Sequence, residues 1–288
     1  MRSYLNGVQL DDSLVLSDVQ FHKIARFMEE NVGIKMPESK RLMIQARLSS
    51  RLKALHFANF NQYIDYVFAN HKDGQEEMIL MIDALTTNLT HFFRENTHFE
   101  YMTNFVLPEF YSKGIQKLEI WSAGCSSGEE PYTLSIVMNE YLRAHQRQFL
   151  DFRILATDIS TKVLTKAINA VYAMSSVDKL SYDMKKKYFL KSRNKEKALV
   201  RVKEEVRNRV NFQRLNFMDA NYSQCGMKNI IFCRNVLIYF DKPTQEAVVR
   251  KLVNQLVPGG YLFLGHSETI FGMNLPLKNM APTVFRKI

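Results

Sequence analysis

The stretch from Leu118 to Tyr132 constrains this chain more than any other: Leu-Glu-Ile-Trp-Ser-Ala-Gly-Cys-Ser-Ser-Gly-Glu-Glu-Pro-Tyr. Leu118, Ile120 and Trp121 read as a buried strand. It breaks at Gly124, passes through Cys125-Ser126-Ser127-Gly128 and enters a helix near Pro131. Proline suits the first helical turn, where its missing N–H would lack a partner anyway. A strand, a tight glycine loop and a helix N-terminus make a crevice at the carboxyl end of a parallel strand. Open α/β sheets bind nucleotide-like ligands there, and glycine lets the backbone come close.

Glu129 and Glu130 stand where a diphosphate would need positive potential, and the glycines fall short of G-x-G-x-x-G. Carboxylates at this mouth suit a ligand with hydroxyls and a positive charge, as S-adenosylmethionine has. A purely structural turn is the plain alternative. A second buried strand, Phe152 to Ile159, carries Asp158 at its end, where dinucleotide folds hold ribose hydroxyls. Asp158 could instead cap the next helix, although Ser160 and Thr161 can do that. Two acidic loop positions at consecutive strand ends favour a nucleoside cofactor.

The 288 residues give room for a large core and more than one domain. No apolar run is long enough for a membrane span and no signal peptide is evident, so a cytoplasmic protein is expected. Cys125, Cys225 and Cys233 lack metal spacing and read as reduced thiols, so no metal is expected. The net charge of +10 favours an acidic partner, with simple solubility as the bland alternative.

Residues 1 to about 15 read as a loose arm, and 17–85 as helical. Ser17-Asp18-Val19-Gln20 forms a capping box ahead of Phe21, Ile24, Ala25 and Met28. A second helix, Lys40 to Leu55, puts Ile44, Leu48, Leu52 and Leu55 on one face. Arg47 and Arg51 follow Lys40 by 7 and 11 residues, hence within about 20° of its direction at ~100° per residue. That basic stripe is either a solvated face or a docking surface for an acidic helical partner. Thr86 to Glu95 reads as a linker or a lid. Between Val171 and Phe212 the α/β rhythm breaks: Tyr188–Lys191 and Ala198–Val202 flank a polar turn, a hairpin that decorates the sheet as a partner site or a flap. Strands follow at 210–217, Ile230–Cys233 and Tyr261–Leu264, with a helix from Pro243 to Leu256, a turn at Pro258-Gly259-Gly260 and an edge strand from Pro282 to Ile288.

Four motifs lie in order: Thr87-Asn88-Leu89-Thr90-x-Phe92-Phe93-Arg94-Glu95, Trp121 to Tyr132, Phe232 to Asp241, and Gly265-His266-Ser267-Glu268. In these the chain resembles the class I S-adenosylmethionine-dependent methyltransferases, and among them the CheR-type chemotaxis receptor methyltransferases, which methylate glutamate side chains. The resemblance runs from about Ser17 to the C-terminus. It implies an α/β fold: a Rossmann-like, mostly parallel sheet with an antiparallel C-terminal edge, an N-terminal all-α domain (1–85) and a methyltransferase domain (86–288). A small antiparallel β insert would occupy about 172–212. S-adenosylmethionine would be the methyl donor and S-adenosylhomocysteine the product.

The resemblance also implies roles. Asn88, Thr90 and Arg94 would meet the cofactor from the linker side, with Gly124 in the loop beneath it. Glu130 and Asp158 would take its amino-acid and ribose portions, Asn216 and Phe217 its adenine, and Asn235 with Val236 its methionine end. Arg94 and Tyr239 would hold the substrate carboxylate near the methyl group. His266 is either a structural histidine or part of the site. Lys40, Arg47 and Arg51 would face the acidic helical bundle of a receptor, and the β insert a receptor's C-terminal peptide. Its turn, Ser192-Arg193-Asn194-Lys195, lacks a glycine, which counts against that last role. A monomer is expected.

A nucleic-acid methyltransferase would also be basic. Base amino-methylation uses an Asp/Asn-Pro-Pro-Tyr/Phe loop where this chain has Arg234-Asn235-Val236-Leu237, and cytosine carbon methylation needs Pro-Cys where Phe232 precedes Cys233. Nucleic acid is therefore not an expected partner. A cofactor-sensing module without turnover would not need Arg94, Glu130, Asp158 and Tyr239 together.

Overall fold

The computed structural model describes residues 4–5, 8–9, 15–145 and 151–288, in two compact units, Met1–Thr87 and Asn88–Ile288. In the first, β1 (Tyr4–Leu5) and β2 (Val8–Gln9) pair antiparallel; of the loose arm expected over residues 1 to about 15, residues 1–3, 6–7 and 10–14 lie outside the described residues. Four helices follow: α1 (Asp18–Val32), α2 (Arg41–Ala54), α3 (Phe60–Phe68) and α4 (Lys72–Leu85). The capping box is present, with the Ser17 hydroxyl accepting from the Gln20 N–H and the Gln20 side chain from the Ser17 N–H. Helix α1 buries Phe21, Ile24, Met28 and Val32, and α2 buries Ile44, Leu48 and Leu52 as the 3.6-residue spacing predicts, while Leu55, just past the end of α2, is only half-buried.

The basic stripe has a different fate from the one its spacing suggested. Arg47 Nη1 donates to the carbonyls of Leu85 and Thr86, both at 3.0 Å, and so caps the end of α4. Arg51 grips the buried Glu77 through two bonds, Nε to Oε1 at 2.9 Å and Nη2 to Oε2 at 2.6 Å. The Tyr63 hydroxyl adds a third, at 3.0 Å to Oε1. Burial, with Glu77 beside it, pushes the Tyr63 hydroxyl far above its usual pKa. Two of the three basic side chains thus tie helices together rather than form an open face.

The second unit opens with α5 (Thr97–Tyr101), a π turn at Met102–Val106 and α6 (Leu107–Ser112), all within one helical run. Pro108 has no N–H for the α-helical ladder, which accounts for the wider turn just before it. Then come β3 (Lys117–Ala123), α7 (Glu129–Ala144), β4 (Asp151–Asp158) and α8 (Thr161–Asn169). The inserted sheet comprises β5 (Val171–Ala173), β6 (Phe189–Lys191) and β7 (Leu199–Val202), with α9 (Tyr182–Tyr188) between its first two strands. After α10 (Glu204–Arg207), β8 (Val210–Arg214) returns to the main sheet and pairs parallel with β4. The insert therefore ends before 210, short of the 212 that hydrophobic pattern suggested. The remaining elements are β9 (Lys228–Cys233), α11 (Lys242–Asn254), β10 (Leu256–Leu264), β11 (Leu277–Ala281) and β12 (Val284–Lys287). Strand β10 is longer than expected, because Pro258-Gly259-Gly260 makes a register irregularity within it instead of a turn before it.

The seven main strands lie in the order β11-β12-β10-β9-β3-β4-β8. Five are mutually parallel, and β12 and β11 form the antiparallel edge. Phe99, Met102, Leu118, Ile120, Leu134, Phe232 and Phe263 belong to the core against this sheet, with the Phe232 and Phe263 rings stacked at 4.4 Å. The order reverses between β3 and β9, since β4 lies on one side of β3 and the later strands on the other. That reversal opens a crevice at the strands' carboxyl ends.

Candidate active site

The loops after β3, β4, β8, β9 and β10 all end at this crevice. After β3 the chain turns left-handed at Gly124 (φ 83°), Ser126 (φ 49°) and Gly128 (φ 94°). Asp158 holds the strained Ser126: its Oδ2 accepts the Ser126 N–H at 2.8 Å, while Oδ1 accepts the Ser160 N–H at 3.0 Å. Ser160 itself caps α8. The strand-end carboxylate thus shapes the glycine loop, which is more than helix capping.

The glycines are fixed by protein neighbours. A Cβ on Gly124 would stand 2.4 Å from Val236 Cγ2 and 3.7 Å from Phe217 Cε2. On Gly128 it would meet Ala167 Cβ at 2.8 Å. Gly124, Phe217 and Val236, chosen from sequence as cofactor contacts, therefore converge. Gly124→Ala combines this overlap with a left-handed φ, a cost of about 2–4 kcal/mol. It is expected to weaken S-adenosylhomocysteine binding at least tenfold by calorimetry; affinity within twofold of wild type would contradict this geometry.

At the floor lies Arg234, its side chain 2% exposed. Its guanidinium donates to Glu95 Oε2 at 3.1 Å, to Glu130 Oε2 at 3.2 Å and to the Arg94 carbonyl. Glu130 also accepts from the Ser122 hydroxyl at 2.7 Å, and Glu95 from Asn235 Nδ2 at 3.1 Å. The two carboxylates respond in opposite directions. Burial resists ionisation of both, but Arg234 and Asn235 outweigh it at Glu95 and hold that carboxyl below its usual range. At Glu130 burial wins and the pKa rises despite Arg234. Phe93, Glu95 and Asn235 all have left-handed backbones around this arginine, and such strain persists only where the surroundings enforce it.

The other chosen residues occupy the surrounding loops. Asn216 Oδ1 accepts the Met218 N–H at 3.0 Å, and the Phe217 carbonyl accepts from Tyr222 and Lys251. The Asn88 carbonyl accepts from the Ser126 hydroxyl at 2.9 Å, tying the linker to the glycine loop. Thr90 is half-buried on the same linker. Arg94 is half-buried and donates from Nη1 to the Leu89 carbonyl at 2.9 Å. The half-buried Tyr239 hydroxyl makes no hydrogen bond among the described residues. Cys125 and Cys233, at the ends of this crevice, are 1% and 0% exposed. Sequence reasoning missed Glu95, Arg234 and Glu268 as functional residues, although all three stand inside the quoted motifs. Acidic and basic side chains beside buried strand ends were the available signal.

His266 has a structural role: its N–H donates to Glu95 Oε2 at 3.3 Å, and its ring meets the Thr97 hydroxyl at 3.2 Å and His98 edge-on. Ligand atoms of Glu95, His98 and His266 lie within 4.8 Å of one another. Both Glu95 oxygens already accept hydrogen bonds, and the Arg234 guanidinium sits on Oε2, so a further cation there would be repelled. Within the trio the one hydrogen bond is from the His266 N–H to Glu95, and the buried His98 Nδ1 has no hydrogen-bond partner among the described residues.

His98 is 2% exposed and bonds Thr283 Oγ1 through Nε2 at 2.8 Å. Burial foremost, with Arg234 nearby, pushes its pKa down to about 4. A depressed histidine stabilises the fold above its unfolded pKa of 6.5, and that stabilisation is lost as pH falls toward 4. The loss is on the order of 3 kcal/mol. Urea midpoints of wild type and His98→Gln between pH 7 and 4.5 should show the wild type falling more steeply; parallel curves would contradict this.

A doubly wound parallel sheet with its cleft at the switch point defines a nucleoside-cofactor enzyme of the Rossmann-like class. The cleft's charge fits S-adenosylmethionine: Glu95 and Glu130 set two carboxylates against the one buried guanidinium of Arg234, and Asp158 adds a third carboxylate at the glycine loop, suited to a cationic ligand. Residues 88–285 match the CheR methyltransferase SAM-binding domain, and residues 20–86 the CheR methyltransferase all-alpha domain. A chemotaxis protein methyltransferase of Borreliella burgdorferi is 38% identical over 272 residues, covering 93% of this chain and 94% of that protein. Those of Salmonella typhimurium (36%; 96% and 93% covered) and Escherichia coli (35%; 91% and 88%) are also similar. The chain belongs to the CheR methyltransferase family. It is an S-adenosylmethionine-dependent methyltransferase whose substrates are chemotaxis receptors and whose reaction serves adaptation. No helix among the described residues is long and apolar enough to cross a membrane.

Proposed function

We propose that the acceptor is a glutamate side chain on the receptor's cytoplasmic helical bundle, held at the crevice by Arg94 and Tyr239. The observation that carries this is the state of those two groups. Arg94 gives only one of its N–H donors to Leu89, and the Tyr239 hydroxyl has no partner among the described residues. Both are donors suited to a carboxylate.

S-adenosylmethionine supplies an electrophilic methyl on a sulfonium. A glutamate carboxylate is ionised at neutral pH, so no general base is needed before it attacks. The chain's task is then to place an oxygen in line with the methyl group and strip its water. Too strong a grip on the anion would stabilise the ground state, which suits a single guiding arginine. Glu130 is assigned to the cofactor's amino-acid end, Asp158 to its ribose, Asn216 and Phe217 to its adenine, and Asn235 and Val236 to its methionine end. Asn88, Thr90, Arg94 and Gly124 complete the assignment.

The helical unit is the proposed receptor-docking element. Lys40 remains its candidate contact, whereas Arg47 and Arg51 act by fixing the helices that present it. A receptor's C-terminal peptide on the inserted β5-β7-β6 sheet is the secondary part of this proposal, since its turn at Ser192-Arg193-Asn194-Lys195 lacks a glycine. A cytoplasmic monomer that does not bind nucleic acid completes the proposal.

Transfer of radiolabelled methyl from S-adenosylmethionine to receptor-enriched membranes tests it. Label released as methanol by mild alkali is expected. Alkali-stable label, or label on nucleic acid, would overturn the glutamate ester.

A further inference from the structure

Glu268 lies on the loop after β10 and is 6% exposed. It has no ion-pair partner among the described residues. Instead, main-chain N–H groups from two loops surround its carboxylate. Oε1 accepts from Val236 at 2.8 Å and Leu237 at 2.7 Å. Oε2 accepts from Asn235 at 3.0 Å and Gly265 at 2.6 Å. Three consecutive amides aimed at one anion form a nest, the backbone arrangement that ordinarily receives a free anion. Here the chain supplies the anion itself.

Two further details show how specific this arrangement is. Asn235 holds a left-handed φ of 59°, a conformation asparagine tolerates better than other non-glycine residues. A Cβ on Gly265 would stand 2.7 Å from Asn235 Nδ2, 2.8 Å from Asn235 N and 2.9 Å from Glu268 Oε2. Glycine at 265 is what lets the two loops meet over one carboxylate. The turn so fixed carries Val236, whose side chain meets Gly124, and runs directly into the short helical turn Leu237–Tyr239. The Tyr239 N–H closes on the Val236 carbonyl at 3.2 Å, so a displaced Val236 carries Tyr239 with it.

We infer that Glu268 is a positioning residue for methyl transfer: through four main-chain amides it sets the turn that bears Asn235, Val236 and Tyr239. This rests on the assignment of that turn to the cofactor and acceptor. Glu268→Gln replaces one acceptor oxygen with an NH2 that faces amide donors, whereas Glu268→Asp keeps both oxygens on a shorter arm.

The test combines amide hydrogen exchange at 235–237 and 265, S-adenosylhomocysteine affinity by calorimetry, and kcat and KM with receptor membranes. For Glu268→Gln, exchange at those amides should rise at least tenfold and cofactor affinity should fall about tenfold. Its kcat should fall further than its KM rises, with the aspartate variant recovering much of each. If the glutamine variant does not fold, the aspartate variant is read alone and should show the same pattern at smaller size. Unchanged exchange overturns the inference, as does lost protection with normal affinity and turnover. Val236→Ala separates the two readings. Weakened cofactor binding in Val236→Ala with normal binding in Glu268→Gln overturns the positioning role alone; normal binding in both overturns the assignment of the turn and the role with it.

Discussion

Arg94→Ala should lower kcat for receptor methylation about 100-fold and, because Arg94 is also assigned to the cofactor, weaken S-adenosylhomocysteine binding by a smaller factor, about tenfold. The reaction joins an anion to a cationic sulfonium, so charge disappears in the transition state. A strong attraction to the anion would not speed it. What the arginine contributes is direction: a planar fork that holds one carboxylate oxygen in line, and misplacement by about 1 Å can cost 100-fold. Arg94→Lys should recover little, because an ammonium keeps the charge but loses the fork. Initial rates at saturating cofactor, with calorimetry on the same variants, are the measurement. Activity of Arg94→Ala within about threefold of wild type would remove Arg94 from the acceptor site.

Arg234→Met should cost about 3–5 kcal/mol of stability, the range for removing one partner of a buried ion pair. The guanidinium is 2% exposed and serves Glu95, Glu130 and the Arg94 carbonyl together. Its loss leaves two enclosed carboxylates without a cation and frees the backbone of Arg94. Adding Glu95→Gln should return part of the loss, since one unpaired charge goes with it. Urea unfolding of the three proteins tests this; a loss under about 1 kcal/mol for Arg234→Met would mean that water replaces the arginine.

What could be read from the sequence was local. The strand, glycine loop and helix start at 117–132, the carboxylate ending β4, the capping box at Ser17 and the hairpin of the insert all announce themselves within about fifteen residues. What could not be read depends on distant partners. Arg51 looks like a surface residue until Glu77, on another helix, is brought against it. Arg47 likewise needs the end of α4. Gly124 reads as room for a ligand, yet its nearest constraint is Val236, more than a hundred residues on. Val210–Arg214 has a strand pattern that suits either the insert or the main sheet, and only pairing with β4 decides. Glu268 sits in a recognisable motif, but nothing local shows that its partners are the amides of another loop.

The burial of Cys125 and Cys233 has a chemical consequence for an enzyme that handles an alkylating agent. A thiolate beside an activated methyl group is a better nucleophile than any carboxylate. Burial, reinforced by Asp158 near Cys125 and by Glu268 near Cys233, pushes both thiols well above their ordinary pKa. Almost no thiolate then exists at neutral pH. The enzyme is thereby guarded against methylating itself, and its intact mass should stay constant through long incubation with S-adenosylmethionine alone.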